Sequence, residues 1–303
     1  MMKLAPVALI TYNRSKTLSK TIKSLKKNKL IKNTDIYIFC DGPRQNKEDR
    51  KKVLNVKNIL SNLKGLKVKK KIFHQKNIGV KKNIIGAVNY VLKNNSKIIV
   101  VEDDLILSKS FLVYMNHALE FIKNKKNIWH VSGWNYPITK NLKYKNKVFI
   151  WNNMNCWGWG THKKYWNRLV KNPNFFLKKF TEKDIQKFDL EGRLNNWSQL
   201  IKNKKKIITT WAIFWNATIF YNKSYCLNPV LSYTKNIGFD SNSTHTKKSL
   251  PQLKRLNTSV KMKFTTNQKK DIFFINKVKS YLSYEKKSIV GLFKKKIYEF
   301  FND

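Results

Sequence analysis

Ile98-Ile99-Val100-Val101-Glu102-Asp103-Asp104-Leu105 is the stretch on which the reading of this chain turns. Four β-branched residues run directly into three carboxylates, in a protein of 303 residues with a formal net charge of +46. The apolar run reads as a buried parallel strand. Its carboxyl end therefore carries three acids to the rim of a sheet, where open α/β proteins hold their ligands. Acids crowded there repel one another and call for a counter-charge, and a divalent cation bound by oxygen ligands is the usual one. The competing reading is a helix N-terminus, which also attracts acids through the helix macrodipole. The pattern from Leu105 to Phe121 predicts a helix directly after the triplet.

Working outward, the first hundred residues alternate strand and helix. Residues 5–12 form a short apolar strand ending in Asn13-Arg14-Ser15, followed by a helical pattern with Leu18, Ile22 and Leu25 on one face. Ile36 to Cys40 reads as a second strand closed by the turn signature Asp41-Gly42-Pro43. A basic helix, Lys47 to Leu63, leads to a third strand, Lys67 to Phe73. Asn77-Ile78-Gly79-Val80-Lys81-Lys82 then opens a helix that runs through Val91 and Leu92. This alternation predicts an α/β fold: a mostly parallel, Rossmann-like sheet flanked by helices. Arg14, Asp41, Asn77, Asp103 and Asp104 stand at successive strand ends, as in a nucleotide site.

Thr11-Tyr12-Asn13-Arg14, Cys40-Asp41-Gly42, Asn77-Ile78-Gly79 and Val101-Glu102-Asp103-Asp104 resemble the strand ends of GT-A glycosyltransferases. The resemblance is nearest to bacterial glycosyltransferase family 2 and to N-acetylglucosaminyltransferase I relatives. Three later segments agree in order: Cys156 to Thr161 and on to Trp166, Trp211 to Trp215, and Asn236 to Asp240 up to Thr244-His245. The resemblance implies a glycosyltransferase, with inverting chemistry, that takes a sugar from a nucleoside diphosphate, a UDP-sugar first. Its acceptor would be a cell-envelope glycan or lipid-linked oligosaccharide. It also implies roles. Arg14 contacts base or pyrophosphate, and Asp41 accepts from base or ribose. Asp104 ligates Mn²⁺ or Mg²⁺, Asp103 reaches ribose or a metal-bound water, and Glu102 completes the cofactor-binding triplet. A divalent ion stabilises the departing diphosphate as a Lewis acid, and the cations Arg14 and Lys81 add to it. His245 is a candidate further metal ligand, imidazole being suited to transition metals.

Inverting transfer needs a carboxylate base. In the resembled family it lies in a Trp- and Asp-rich segment corresponding to Trp211-Ala212-Ile213-Phe214-Trp215, which holds no acid here. By exclusion the base falls to Asp240, in a polar loop beside Gly238, with Asp189 and Glu191 as the alternatives. Seven tryptophans lie between Trp151 and Trp215. Trp157 and Trp159 alternate with glycines in an expected loop and are read as a sugar platform, since aromatic faces stack on pyranose C–H surfaces.

Composition sets the remaining bounds. Cys40, Cys156 and Cys226 are too few and too scattered for a disulfide framework or a zinc site. Met1 to Thr11 runs into the first strand without the pattern of a signal peptide, and no apolar run approaches a membrane span. A cytoplasmic location on the inner face of the membrane follows. Residues 1–246 read as one glycosyltransferase domain, with a nucleotide-sugar half at 1–106 and an acceptor half at 107–246. Residues 247–303 read as a Lys-rich linker and tail. Ile289, Leu292, Phe293, Ile297 and Phe300 give the tail's end a basic amphipathic pattern suited to an anionic membrane surface. The charge alone would also suit a nucleic-acid-binding protein. Lysine far exceeds arginine, though, and no nucleic-acid motif is present, so no nucleic-acid partner is expected. A GT-A fold without catalysis is the other alternative.

Overall fold

The structure, a computed structural model, describes residues 2–239, 255–264 and 270–284. Its first hundred residues form β1 (Val7–Thr11), α1 (Ser15–Lys26), β2 (Asp35–Cys40), α2 (Lys47–Ser61), β3 (Lys67–Phe73), α3 (Val80–Asn94) and β4 (Lys97–Glu102). These are the elements the sequence predicts, and the reasons are local. Leu18, Ile22 and Leu25 are buried on one face of α1. Asn46 caps α2 by accepting from the Asp49 N–H, and Gly79 takes the positive φ of 82° that starts α3. Val7, Ala8 and Leu9, and Ile99, Val100 and Val101, are all fully buried, so β1 and β4 are covered on both faces, as parallel central strands require.

After β4 the chain departs from the expected helix at Leu105. Residues Leu105–Leu107 form β5, and α4 begins only at Phe111 and runs to Ile122. Leu105 and Leu107 are buried with Ile106 half-buried between them, a period of two rather than 3.6. Their N–H groups donate to the hydroxyls of Thr21 and Ser24 on α1. These bonds hold the segment extended.

The second half adds β6 (Ile128–Ser132), β7 (Val148–Trp151), β8 (Trp159–His162), α5 (Lys163–Trp166), α6 (Pro173–Lys179), α7 (Glu182–Phe188), α8 (Asn196–Lys204), α9 (Ala212–Tyr221), β9 (Tyr225–Pro229) and β10 (Thr234–Asn236). Eight strands make one sheet in the order β3-β2-β1-β4-β8-β6-β9-β7. β8 runs antiparallel to both β4 and β6, and β7 antiparallel to β9; the other pairings are parallel. The sheet is thus mostly parallel and flanked by helices. Its β3 edge bears exposed Lys67, Lys69 and Lys70, a charged margin that discourages pairing with another strand. One large core surrounds this sheet, and a smaller one, built from Phe176, Phe188, Leu200, Ile213 and Phe214, joins α6 to α9.

Part of the expected Lys-rich tail belongs to the domain. The Asn257 side chain donates to the carbonyl of Lys145, Phe264 stacks on Phe121 at 4.9 Å, and residues 272–284 are helical. Phe274, Ile275 and Val278 of that helix are buried in the main core. Residues after 246 thus pack against the part of the chain before it. A lysine-rich surface hid an apolar face. The amphipathic segment around Ile289 to Phe300 lies outside the described residues.

Candidate active site

The site is built at the carboxyl ends of β1, β2 and β4. Asp104 lies in the two-residue turn between β4 and β5, and its Oδ2 lies 3.1 Å from Arg14 Nη1, both side chains being more than four-fifths buried. β10 pairs antiparallel with β5, which lays the Asn236-Ile237-Gly238 segment over this pair. Ile237 N–H donates to the Asp104 carbonyl at 2.8 Å, and Gly238 N–H to the Asn236 side chain at 2.7 Å. A Cβ at Gly238 would fall inside contact with both Asp104 Oδ2 and Arg14 Nη1. Only glycine lets the backbone come this close. Three motifs, at 14, 104 and 238, thus meet at one point.

Of the other two acids of the triplet, Asp103 is buried and Glu102 half-buried. Asp103 accepts from the Tyr12 N–H at 2.9 Å, tying β4 to the end of β1. Burial first, and then the Asp104 and Asp103 charges, hold the Glu102 carboxyl well above the ordinary carboxylate range. Burial and then Asp104 do the same to Asp103. Such crowding is relieved by a cation, and the donors present are carboxylate oxygens, the ligands that Mn²⁺ and Mg²⁺ prefer. Among the described residues no group of three or more His, Cys, Asp or Glu side chains converges on one point. The residues fit a cation held by one or two carboxylates and completed by phosphate oxygens, rather than a cage made by the protein alone.

Asp41, the residue expected at base or ribose, is engaged within the chain. Its Oδ1 accepts from the Gly42 and Ile78 N–H groups, and its Oδ2 from the Gly79 N–H and the Asn77 side chain. A carboxylate offers about four acceptor sites, so all are taken, and the residue is 3% exposed. Asp41 instead shapes the turn that opens α3.

Asp49 is the residue that sequence reasoning missed. It is buried and accepts from the Tyr12 hydroxyl, the Asn13 side chain and the Arg44 N–H, each at 2.6 Å. Burial raises its carboxyl pKa, but the hydrogen bonds from Tyr12, Arg44 and Asn13 outweigh that and hold it below the ordinary range. Asp49 fixes the Tyr12-Asn13-Arg14 strand end. A signal existed in Asn46-x-x-Asp49, the spacing of a helix cap.

The Lys81 ammonium sits 3.8 Å from the centre of the Phe214 ring on α9. Desolvation, and then Lys171, lower its pKa. The Trp211 to Trp215 segment, where a base was sought, is core, with Ile213, Phe214 and Trp215 each at most 3% exposed.

The Trp pair divides. Trp157 is half-buried, meets Trp134 edge-on at 4.5 Å and contacts Phe239 at 5.5 Å, so it stands beside the 236–239 segment. Trp159 contradicts the loop expectation. It lies in β8, fully buried, with Trp211 stacked at 5.0 Å and His130 at 5.5 Å. Its faces are covered and offer no sugar platform.

Of the base candidates, Asp189 ends α7 and accepts from the Trp197 N–H at 2.8 Å. Glu191 is ion-paired to Arg193 at 2.9 Å and to Lys279 at 2.5 Å. Asp240 and His245 lie outside the described residues.

The sequence pattern that defines the GNT-I family matches residues 1–184. No curated protein shows matching sequence similarity. Among solved structures, the chain is similar to a cytidylyltransferase from Leptospira borgpetersenii serovar Hardjo-bovis, at 12% identity over 56% of this chain and 64% of that one, with a TM-score of 0.32. S. aureus TarS is similar at 12% identity over 77% of this chain and 61% of that one, with a TM-score of 0.41. The galactosyltransferase LgtC, in complex with donor and acceptor sugar analogues, is similar at 12% identity over 73% and 72%, with a TM-score of 0.36. The chain spans less than two thirds of the length of the first two.

Proposed function

The chain belongs to the GNT-I family, a family of glycosyltransferases, and on that premise we propose that it moves a sugar from a nucleoside-diphosphate donor, UDP-linked first, to a cell-envelope glycan or lipid-linked acceptor. The observation that carries the reading is the meeting of Arg14, Asp104 and Gly238 at the carboxyl edge of the sheet. Asp104 would hold Mn²⁺ or Mg²⁺, with Glu102 and Asp103 beside it. The cation, when bound, supplies the Lewis acidity that lets the diphosphate leave.

The chain's own groups do the rest. Asp49 and Asp103 lock the end of β1, so the Arg14 guanidinium is held in place against Asp104. Because Arg14 occupies Asp104 Oδ2, donor binding requires it to turn its charge from the carboxylate to phosphate oxygens. Asp41 shapes the turn that opens α3 by accepting from the Ile78 and Gly79 N–H groups. Trp157, beside the 236–239 segment, is the aromatic surface left to pack on a sugar. Asp240, two residues after Gly238, remains the preferred base. Asp189 and Glu191 are the less favoured, their carboxylates being engaged with Trp197, Arg193 and Lys279. Among the described residues no helix is long and apolar enough to cross a membrane, and docking on an anionic inner membrane surface is part of the proposal.

UDP with Mn²⁺ is expected to raise the melting temperature, since a ligand that binds only the folded state stabilises it, and a panel of nucleotide sugars should reveal one hydrolysed donor. Stabilisation without hydrolysis or transfer of any donor would favour a GT-A fold that has lost catalysis. Transfer that survives Asp240→Asn but not Asp189→Asn or Glu191→Gln would move the base to the α7 end.

A further inference from the structure

At the pole of the sheet opposite the acidic edge lies a cavity of about 740 Å³, within the range of small-molecule sites. β4 begins here at Lys97 and ends at Glu102, so at about 3.3 Å per residue the two places are some 17 Å apart. Lys3, Lys97, Lys123, Lys163 and Lys164 line it, with Glu120 as the single acid. Five lysines among eleven lining residues exceed even the general abundance of lysine in this chain. Glu120 is shared between Lys97 at 3.4 Å and Lys123 at 3.3 Å. Lys163 and Lys164 donate to the carbonyls of Lys93 and Lys123, which fixes their ammonium groups without neutralising them.

Lys97 is the telling residue. Its side chain is 8% exposed, and its charged partner among the described residues is that one shared carboxylate. A buried ammonium has three donors and a large desolvation cost, which one long contact does not meet. Burial lowers its pKa accordingly.

We propose that this cavity binds a phosphate-bearing anion, with Lys97 at its floor and Lys123, Lys163 and Lys164 around its mouth. Lysines hold phosphate as point charges, and a partly enclosed site strengthens them over the same charges on an open surface. The phosphate comes either from a soluble phosphate ester or from a lipid headgroup.

The test uses the full chain in EDTA, with inorganic pyrophosphate read by calorimetry and phosphatidylglycerol vesicles read by co-sedimentation. Lys123→Gln with Lys164→Gln removes two charges from exposed positions of the cavity, and Lys69→Gln with Lys70→Gln removes two from the β3 edge. The first pair should weaken binding of one probe at least tenfold, and the second less than twofold. Loss confined to pyrophosphate assigns a soluble ester; loss of vesicle binding assigns the headgroup. Equal effects of the two pairs on both probes would show only the field of a +46 protein and overturn the assignment. The cavity shares no residue with the Arg14 and Asp104 site, so the outcome is independent of the sugar-transfer reading.

Discussion

The acidic edge and the aromatic half spend their side chains in opposite ways. At the edge, Asp41, Asp49 and Asp103 use their oxygens to hold backbone and side-chain donors, so that Asp104 and Arg14 keep one geometry. Beyond β4, Trp159, Trp166, Trp211 and Trp215 pack on one another at 5.0 to 5.6 Å and join β8 to α5 and α9. The edge is rigid through polar saturation; the other half is rigid through ring packing. The residue types that invite a functional reading, an aspartate after a strand and a tryptophan between glycines, are in both places partly structural. What separates chemistry from scaffold is whether the side chain has anything left to offer.

The contrast breaks most severely at Asp104. Asp104→Asn should lower kcat/KM by about 10³-fold or more while the melting temperature moves little, because a charge that acts on the leaving group is worth several kcal/mol. A variant that keeps wild-type turnover, or wild-type turnover in EDTA, would return Asp104 to the scaffold. Trp159→Ala should show the reverse, a loss of about 3–5 kcal/mol of stability by urea denaturation. Trp157→Ala, half-buried, should cost less stability and chiefly raise the acceptor KM.

Acid should find the aromatic half through His130. Fully buried, it donates from Nε2 to the Asn155 carbonyl and accepts at Nδ1 from Trp215 Nε1–H, an arrangement that requires the neutral ring. Burial pushes its pKa down to about 3. The unfolded chain therefore binds the proton first, and stability is lost as pH falls from about 6.5 toward 3. The difference between wild type and His130→Gln across that window should reach a few kcal/mol; parallel pH profiles would show that another group governs. The smallest effect belongs to Asp41→Asn, expected to cost about 1–3 kcal/mol by leaving a backbone N–H facing an amide. Loss of donor binding without loss of stability would restore Asp41 to the ligand.

The first hundred residues were legible because each strand and helix there carries its own period and its own stop. The α/β class, the edge and the position of Asp104 followed. The errors came where context outweighs pattern. Leu105 to Leu107 has too few residues to declare a period, and its strand depends on Thr21, Ser24 and β10. Trp159 lies between glycines that look like loop, yet Gly160 is the small residue that lets β8 approach Ile98, Met115 and Leu119. No single-sequence signal announces that Asp41 is saturated, since three of its four partners are backbone N–H groups.

The contact between Arg14 and the Gly238 carbonyl spans 224 residues of chain. At a synthesis rate of about 5–20 residues per second, Arg14 leaves the ribosome roughly 11–45 seconds before Gly238 does. Over that interval the nascent protein carries its nucleotide half without the strand that covers it. A translating chain would therefore meet its donor before it could complete the site, and activity would begin only once synthesis had passed the segment around Gly238.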